Sequence, residues 1–186
     1  MSANWGMFIS QVSVGSQPTS EEQTAMHYAD LYMAAIATAT QSIYKNTIIP
    51  ITVNKQSIVT GLVTAFKTIK ALGPTPPTPA QFLPAAGGFI AAWSGAQFSP
   101  LPAHIPATVH TTGLTLLFPG EPSTLAAGLL GAFTAGNKQL HATILAGILK
   151  IHLLTISGVY NGLMPNPGAL IPPMIATPPI PWVGII

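Results

Sequence analysis

Apolar residues recur at helical spacing in several separate stretches of the chain, and the clearest of these follows Asn54. Asparagine is favourable at the N-cap of a helix, and Gly73 is a typical residue at a helix end. Between the two, apolar positions are separated by four, four and three residues, which is the spacing of one helical face. The pattern predicts an amphipathic helix bounded by Asn54 and Gly73, with an apolar face of Ile58, Leu62, Phe66 and Ile69.

A longer helix is predicted before it, from about Ser20 to Lys45. Thr19 is followed three residues later by Glu22, which is the pattern of a capping box. The acidic residue lies near the positive end of the helix dipole and the lysine near the negative end, and both placements are favourable. We expect this helix to be packed against others, because much of its surface is alanine and threonine.

The segment "GPTPPTP", Gly73 to Pro79, predicts a stiff extended connector, because each proline fixes its own φ angle. It leads into a third helix, for which Thr78 is the expected N-cap and the proline that follows suits the first helical position. We expect this helix to be broken or kinked near Pro84 and at Gly87–Gly88.

A strand and two more helices follow in the second half of the chain. The strand is predicted over Gly113–Phe118, a short helix over Ser123–Ala135 and a long helix from about Asn137 to Tyr160. The predicted fold is therefore mainly α, with four to five helices joined by Pro/Gly-rich connectors and an extended arm at each end.

These elements divide the chain into three parts. Residues 1–18 are predicted to be an N-terminal leader arm, residues 19–162 a helical domain, and residues 163–186 a proline-rich apolar C-terminal arm. The length is about that of a single domain, at roughly 100–200 residues per domain.

Charge is scarce along the whole chain. Only 5 % of the 186 residues are charged, whereas soluble globular chains average about 25 %. Low charge combined with exposed apolar area promotes association. The chain contains no arginine and no cluster of lysines, so we predict no nucleic-acid partner.

The longest apolar window, Leu140 to Tyr160, is long enough to span a bilayer at about 20 residues. However, Lys150 lies at its middle, and a central lysine costs roughly 2.5–3.5 kcal/mol in a membrane span. We therefore expect a helix buried in protein. An integral membrane or pore-forming protein with a span near 140–160 is the alternative. The N-terminus lacks the basic and apolar regions of a signal peptide, so export is not expected.

Residues that could carry out chemistry are few, and they are scattered. Two of the four acids are adjacent at a predicted helix start, and the other two are far apart in the sequence. The chain has no cysteine. His104 and His110 flank a short loop that could bring their rings together, which leaves a histidine-based metal protein as a third hypothesis. We predict a protein that is not an enzyme and has no cofactor, metal or small-molecule substrate.

Large apolar residues in charge-free segments are the candidates for contact between subunits. The C-terminal segment "LIPPMIATPPIPWVGII" can dock on a neighbouring subunit or fold back over its own helices, and the sequence leaves both open. Trp93 lies four residues after Phe89, so the two side chains are expected to face together, either as part of the core or as a platform for a ligand. The predicted interface residues are Trp93, Phe98, Trp182, Ile185 and Ile186.

One segment resembles a known class of proteins. The stretch "GGFIAAWSGAQFSPLPAHIPATVHTTG", Gly87 to Gly113, is similar to the short helix and proline-rich stretch of small virion structural proteins of contractile-tailed bacteriophages, and "NWG", Asn4 to Gly6, is similar to the start of such chains. The resemblance implies a non-enzymatic building block in many symmetric copies. We accordingly expect a virion protein of the tail or baseplate region, or a minor or decorating head protein. It would assemble in the host cytoplasm by packing against copies of itself and other virion proteins.

Overall fold

The structure is a computed structural model that describes residues 2–14, 18–40, 48–98, 114–118, 121–160, 163–165, 174–176 and 180–186. The described part of the chain is mainly α-helical, as predicted. Its α-helices are α1 (Trp5–Val14), α2 (Glu21–Ile36), α3 (Lys55–Ala71), α4 (Pro79–Trp93), α5 (Pro122–Phe133) and α6 (Lys138–Thr155). A single-turn 3-10 helix, Pro50–Thr52, precedes α3.

The helices pack in a closed ring. α1 contacts α2, and the order continues through α3, α4 and α5 to α6, which contacts α1 again. Each helix therefore buries one face against the two beside it, and the ring encloses one hydrophobic core. The largest fully buried side chains include Phe8, Tyr32, Phe82, Phe89, Trp93 and Leu129.

The leader segment contains a helix that the sequence did not predict. Residues 1–18 were expected to be an extended arm, but Trp5–Val14 forms α1 and buries Phe8 completely. The backbone N–H of Asn4 also donates to the carbonyl of Ala35 at 2.8 Å. Asn4 is the N-cap of α1, because its Oδ1 atom accepts from the backbone N–H of Met7 at 3.0 Å. The helix has no acidic residue in its first turn and no basic residue in its last, so this cap and packing against the other helices stabilise it.

α2 begins close to the predicted position but ends much earlier. Its N-cap is Ser20, whose hydroxyl accepts from the backbone N–H of Gln23, and the side chain of Thr19 donates to Gln23 Oε1 at 3.1 Å. The capping residues are therefore one position later than predicted. The predicted end at Lys45 is wrong, because α2 ends at Ile36; the lysine itself lies outside the described residues.

α3 and α4 begin as the sequence predicted. Asn54 caps α3, and Gly73, with a φ angle of 61°, follows its end. Thr78 forms a capping box with Gln81 at the start of α4. α4 then continues through Pro84 to Trp93 as one helix, so the expected break does not occur.

Two glycines allow α3 and α4 to pack closely. A Cβ atom at Gly61 would lie 2.4 Å from the carbonyl oxygen of Pro84, and one at Gly88 would lie 2.5 Å from that of Ser57. Both distances are shorter than any non-bonded contact, so larger residues at these positions would push the helices apart. By contrast, a Cβ atom at the adjacent Gly87 would meet nothing within 4 Å.

The strands are short and pair in three antiparallel sheets. They are β1 (Ile48–Ile49), β2 (Gln97–Phe98), β3 (Leu114–Phe118), β4 (Ser157–Tyr160), β5 (Leu163–Pro165), β6 (Met174–Ala176) and β7 (Ile180–Val183). β1 pairs with β2, β5 pairs with β6, and β4 lies between β3 and β7. β3 confirms the strand predicted there, whereas the predicted helix end at Tyr160 is wrong because β4 begins at Ser157.

Threonine hydroxyls on the helix surfaces bond to their own helix. Each donates to the carbonyl oxygen four residues earlier, at 2.8 or 2.9 Å. A threonine inside a helix commonly makes such a bond when its hydroxyl does not point out to water. The pairs are Thr24 with Ser20, Thr64 with Thr60, Thr68 with Thr64, Thr134 with Leu130 and Thr143 with Gln139.

Candidate functional site

Trp93, the first of the predicted interface residues, lies in the core of its own chain. Its side chain is fully buried, and its indole N–H donates to the hydroxyl of Tyr32 at 2.8 Å. Phe89 is buried beside it, with its ring centroid 5.1 Å from that of Tyr32. The expectation that Phe89 and Trp93 face together is confirmed, and of the two placements that the sequence left open, the structure has the core.

The end of the C-terminal segment docks on its own chain. The backbone N–H and carbonyl of Ile186 bond to those of Thr40, both at 2.9 Å, and the N–H of Ile185 donates to the carbonyl of Leu153 at 2.9 Å. The side chain of Ile185 is only 1 % exposed. Over 180–186, therefore, the segment folds back over its own helices, which is the other of the two arrangements that the sequence allowed.

The remaining sequence candidates are only partly described. The backbone of Phe98 pairs with Ile48, and that of Trp182 pairs with Gly158. Their side chains, as well as His104 and His110, lie outside what the structure describes. A role for Phe98 and Trp182 in contact between subunits stays a prediction.

The acidic side chains on α2 are paired with lysines on α3. The two helices run antiparallel, so the acids at the start of α2 pair with lysines near the end of α3, and the acid further along α2 pairs with the lysine at the start of α3. Hydrogen bonds to the lysines hold the pKa values of Glu21 and Glu22 below the ordinary 4.5. The pairs are Glu21 with Lys70, Glu22 with Lys67 and Asp30 with Lys55, at 2.5, 2.5 and 2.8 Å.

The fourth acid, Glu121, caps α5. Its Oε1 atom accepts from the backbone N–H of Ser123 at 3.1 Å and from the serine hydroxyl at 2.7 Å. These hydrogen bonds lower its pKa. Each of the four carboxylates thus has a partner that accounts for its position, and the structure does not bring two of them together across a site.

His141 lines a cavity of about 410 Å³, and both of its ring nitrogens lie within hydrogen-bonding distance of a neighbour. His141 Nδ1 lies 2.8 Å from the carbonyl oxygen of Ala132, and Nε2 lies 2.8 Å from the hydroxyl of Tyr28. A carbonyl can only accept, so Nδ1 carries the proton and the tyrosine hydroxyl donates to Nε2. The ring of Phe133 packs against both, with its centroid 4.8 Å from that of the histidine and 5.5 Å from that of the tyrosine.

This arrangement connects three helices. Tyr28 is on α2, Ala132 on α5 and His141 on α6. Burial raises the pKa of Tyr28 to about 12, so the hydroxyl keeps its proton at neutral pH and continues to occupy Nε2. The pairing was not predictable from the sequence, because 113 residues separate the two side chains and neither is part of a local motif.

No metal centre is formed by the described residues: no three His, Asp or Glu side chains among them are grouped so as to hold an ion. His27 and His141 both line the cavity. His152 is buried on α6. Among the described helices, none is both long enough and apolar enough to cross a membrane.

The outward face of α6 is the surface that stands out in the described structure. Leu140, Ile151 and Leu154 are 46 %, 52 % and 42 % exposed. Gly147 lies between them along this face, and a Cβ atom there would meet nothing within 4 Å. The opposite face of the same helix is buried in the core through Ala142, Leu145, Ala146, Leu149 and Leu153. α6 is therefore apolar on both its inner and its outer side.

Comparisons with known proteins give no further guide to this surface. No family model matches the chain, and no curated protein or solved structure matches it.

Proposed function

We propose that the protein is a non-enzymatic structural component of a virion that works by self-association through apolar, charge-poor surfaces. The position we favour is the tail or baseplate region of a contractile-tailed bacteriophage, and the nearest variant is a minor or decorating head protein. Its partners are copies of itself and other virion proteins, and it assembles in the host cytoplasm.

The observation that carries the proposal is the outward face of α6. An exposed apolar stripe on a helix that already buries its other face is typical of an interaction surface. Its burial between subunits would contribute about 25 cal/mol for each Å² of apolar area removed from water. Self-association is favoured because only 5 % of the residues are charged and three ion pairs within the chain engage three of the four acids, so little charge remains to keep copies apart.

The virion assignment is supported by the resemblance of Gly87–Gly113 to small phage structural proteins. Within that stretch, "GGFIAAW" ends α4 and the next residues lead into β2. In the described part, α4 is thus followed by the two-residue strand β2. Residues 99–113, with the proline-rich part, lie outside the described residues.

Two measurements test the proposal. Sedimentation velocity over a concentration series tests self-association: we expect larger species to appear as concentration rises, and a chain that stays monomeric throughout would contradict it. Mass spectrometry of purified particles from a lysate that expresses the gene tests the virion assignment. We expect the protein at a fixed ratio to the other particle proteins, and its presence only in the soluble fraction would contradict that assignment.

A further inference from the structure

The exposed face of α6 follows a heptad pattern. Leu140, Ile144, Gly147, Ile151 and Leu154 are separated by four, three, four and three residues. This is the spacing of the a and d positions of a coiled coil, with isoleucine at both a positions and leucine at the first and last d positions. The buried face of α6 is on the opposite side. Of the five positions, Ile144 is partly buried and packs against the core, and in the described part of the chain the other four are exposed.

The choice of residues at these positions favours a particular geometry. In a parallel coiled coil, isoleucine at a with leucine at d favours two strands over three or four. We propose that α6 pairs with α6 of a second copy of this chain as a short, parallel, in-register coiled coil through Leu140, Ile144, Gly147, Ile151 and Leu154. This inference rests on the proposed self-association and names the surface that carries it.

Charge complementarity supports the parallel orientation. In a parallel pair, the g position of one helix approaches the next e position of the other. Lys150 occupies g and Thr155 occupies e. Glu121 lines the same small cavity as Thr155 and Ile151, so a carboxylate lies beside the e position. Lys150 of each copy therefore approaches Glu121 of the other.

The antiparallel alternative lacks this complementarity. Two helices that pair face to face in opposite directions bring the same flank of each copy together. The flank with Lys150 would then face the same flank of the second copy, and like charges would approach each other. The flank with Glu121 would do the same. The chain's own charges thus favour the parallel pair.

In the described part of the chain, the middle of the stripe has room for an added side chain. Gly147 lies at the centre of a stripe that is about 21 Å long at 1.5 Å per residue, and a Cβ atom there would meet nothing within 4 Å. Val183, which pairs with Ser157 just beyond the end of α6, is also exposed, at 57 %.

Substitutions in this stripe test the surface by sedimentation equilibrium. Ile151→Gln should weaken association by about tenfold or more. Ile51→Gln is the matched control, because Ile51 is an even more exposed isoleucine on a different element, at 92 %. Gly147→Leu should strengthen association, since it fills an empty d position without a clash inside the chain. Circular dichroism should show the same helix content in all three variants.

Cysteine cross-linking tests the orientation, since the chain has no cysteine of its own. In a parallel pair, equal positions meet, so Leu154→Cys alone should give a disulfide-linked dimer under oxidation. If cross-links form only in a mixture of the Leu140→Cys and Leu154→Cys chains, the pair is antiparallel and the proposal is wrong. If wild type associates but Ile151→Gln has no effect, this surface is wrong and the proposed function stands. If wild type is monomeric at every concentration, both are wrong.

Discussion

Trp93 and Tyr32 are joined by a buried hydrogen bond of 2.8 Å between the indole N–H and the phenolic oxygen. The two side chains are both fully buried and come from α4 and α2, helices that are not adjacent in the ring. The bond therefore crosses the core and, with the contact between the rings of Phe89 and Tyr32, links two helices that are not neighbours in the ring. It also explains why a tryptophan, with its one polar atom, lies in so apolar an interior.

Removing the Tyr32 hydroxyl, which accepts this hydrogen bond, should lower the stability of the fold. Tyr32→Phe leaves the indole N–H buried without its partner, so we expect the free energy of unfolding to fall by about 1–3 kcal/mol. Urea denaturation followed by circular dichroism measures this. The double variant Trp93→Phe, Tyr32→Phe should lose less stability than the sum of the losses of the two single variants, because it leaves neither the indole N–H nor the phenolic oxygen buried without a partner. A Tyr32→Phe variant as stable as wild type would show that the bond does not matter.

The close contact of α3 and α4 gives a prediction with a control in the adjacent residue. Gly88→Ala places a Cβ atom 2.5 Å from the carbonyl oxygen of Ser57, so α3 and α4 must separate. We expect a loss of about 1–3 kcal/mol, the usual cost of overpacking. Gly87→Ala has open space and should be neutral or stabilising by up to about 1 kcal/mol, because alanine is the better helix former. Equal effects at the two positions would contradict the close packing.

The C-terminal residues should contribute to the stability of the single chain. Ile185→Ala removes a buried side chain and should cost about 2–5 kcal/mol. Val183→Ala, two residues earlier but exposed, should change the free energy of unfolding by no more than about 0.5 kcal/mol. Thermal denaturation at a concentration where the chain is monomeric separates this effect from assembly. If Ile185→Ala leaves the monomer unchanged and alters only association, the side chain acts between subunits.

Stability should also fall in acid. The pKa values of Glu21 and Glu22 are lower in the folded chain than the ordinary 4.5, so the unfolded chain takes up protons at pH values where the folded chain does not. The contribution of the two ion pairs is therefore complete above about pH 4.5 and is lost as the pH falls through the lower folded values. Melting temperatures measured across this range should drop more steeply for wild type than for the double variant Glu21→Gln, Glu22→Gln.

Helix starts were predictable because their signals are local. Asn54 and Thr78 cap the helices that the sequence assigned to them, and the strand at Leu114–Phe118 follows its run of β-forming residues. α1 also has a local start signal, the N-cap Asn4, which was missed. The burial of its Phe8 side chain against other helices could not be predicted from the segment alone. Likewise, α2 ends at Ile36 where the backbone of Thr40 goes on to pair with Ile186, and nothing within the α2 segment indicates that distant partner.

Candidate site residues were harder to predict for the same reason. Composition indicated that apolar surface would be shared between subunits, but it could not distinguish Trp93, which lies in the core, from the outward residues of α6. Leu140–Tyr160 was identified as the longest apolar window, interrupted by Lys150, and the structure divides it into an inner face, an outer face and a strand. The pairing of Tyr28 with His141 depends on the closed ring of helices, and residue spacing carries no information about it.

The threonine hydroxyls that bond to their own helices bear on how readily these surfaces release water. A hydroxyl that already donates to a carbonyl four residues earlier keeps that hydrogen bond when another surface covers it. Its O–H group therefore does not lose a hydrogen bond to water on burial. Thr143, at the edge of the α6 stripe, is one of them. Desolvating such a face costs less than its count of polar residues implies, so helices rich in threonine can exchange water for protein neighbours almost as alanine-rich helices do.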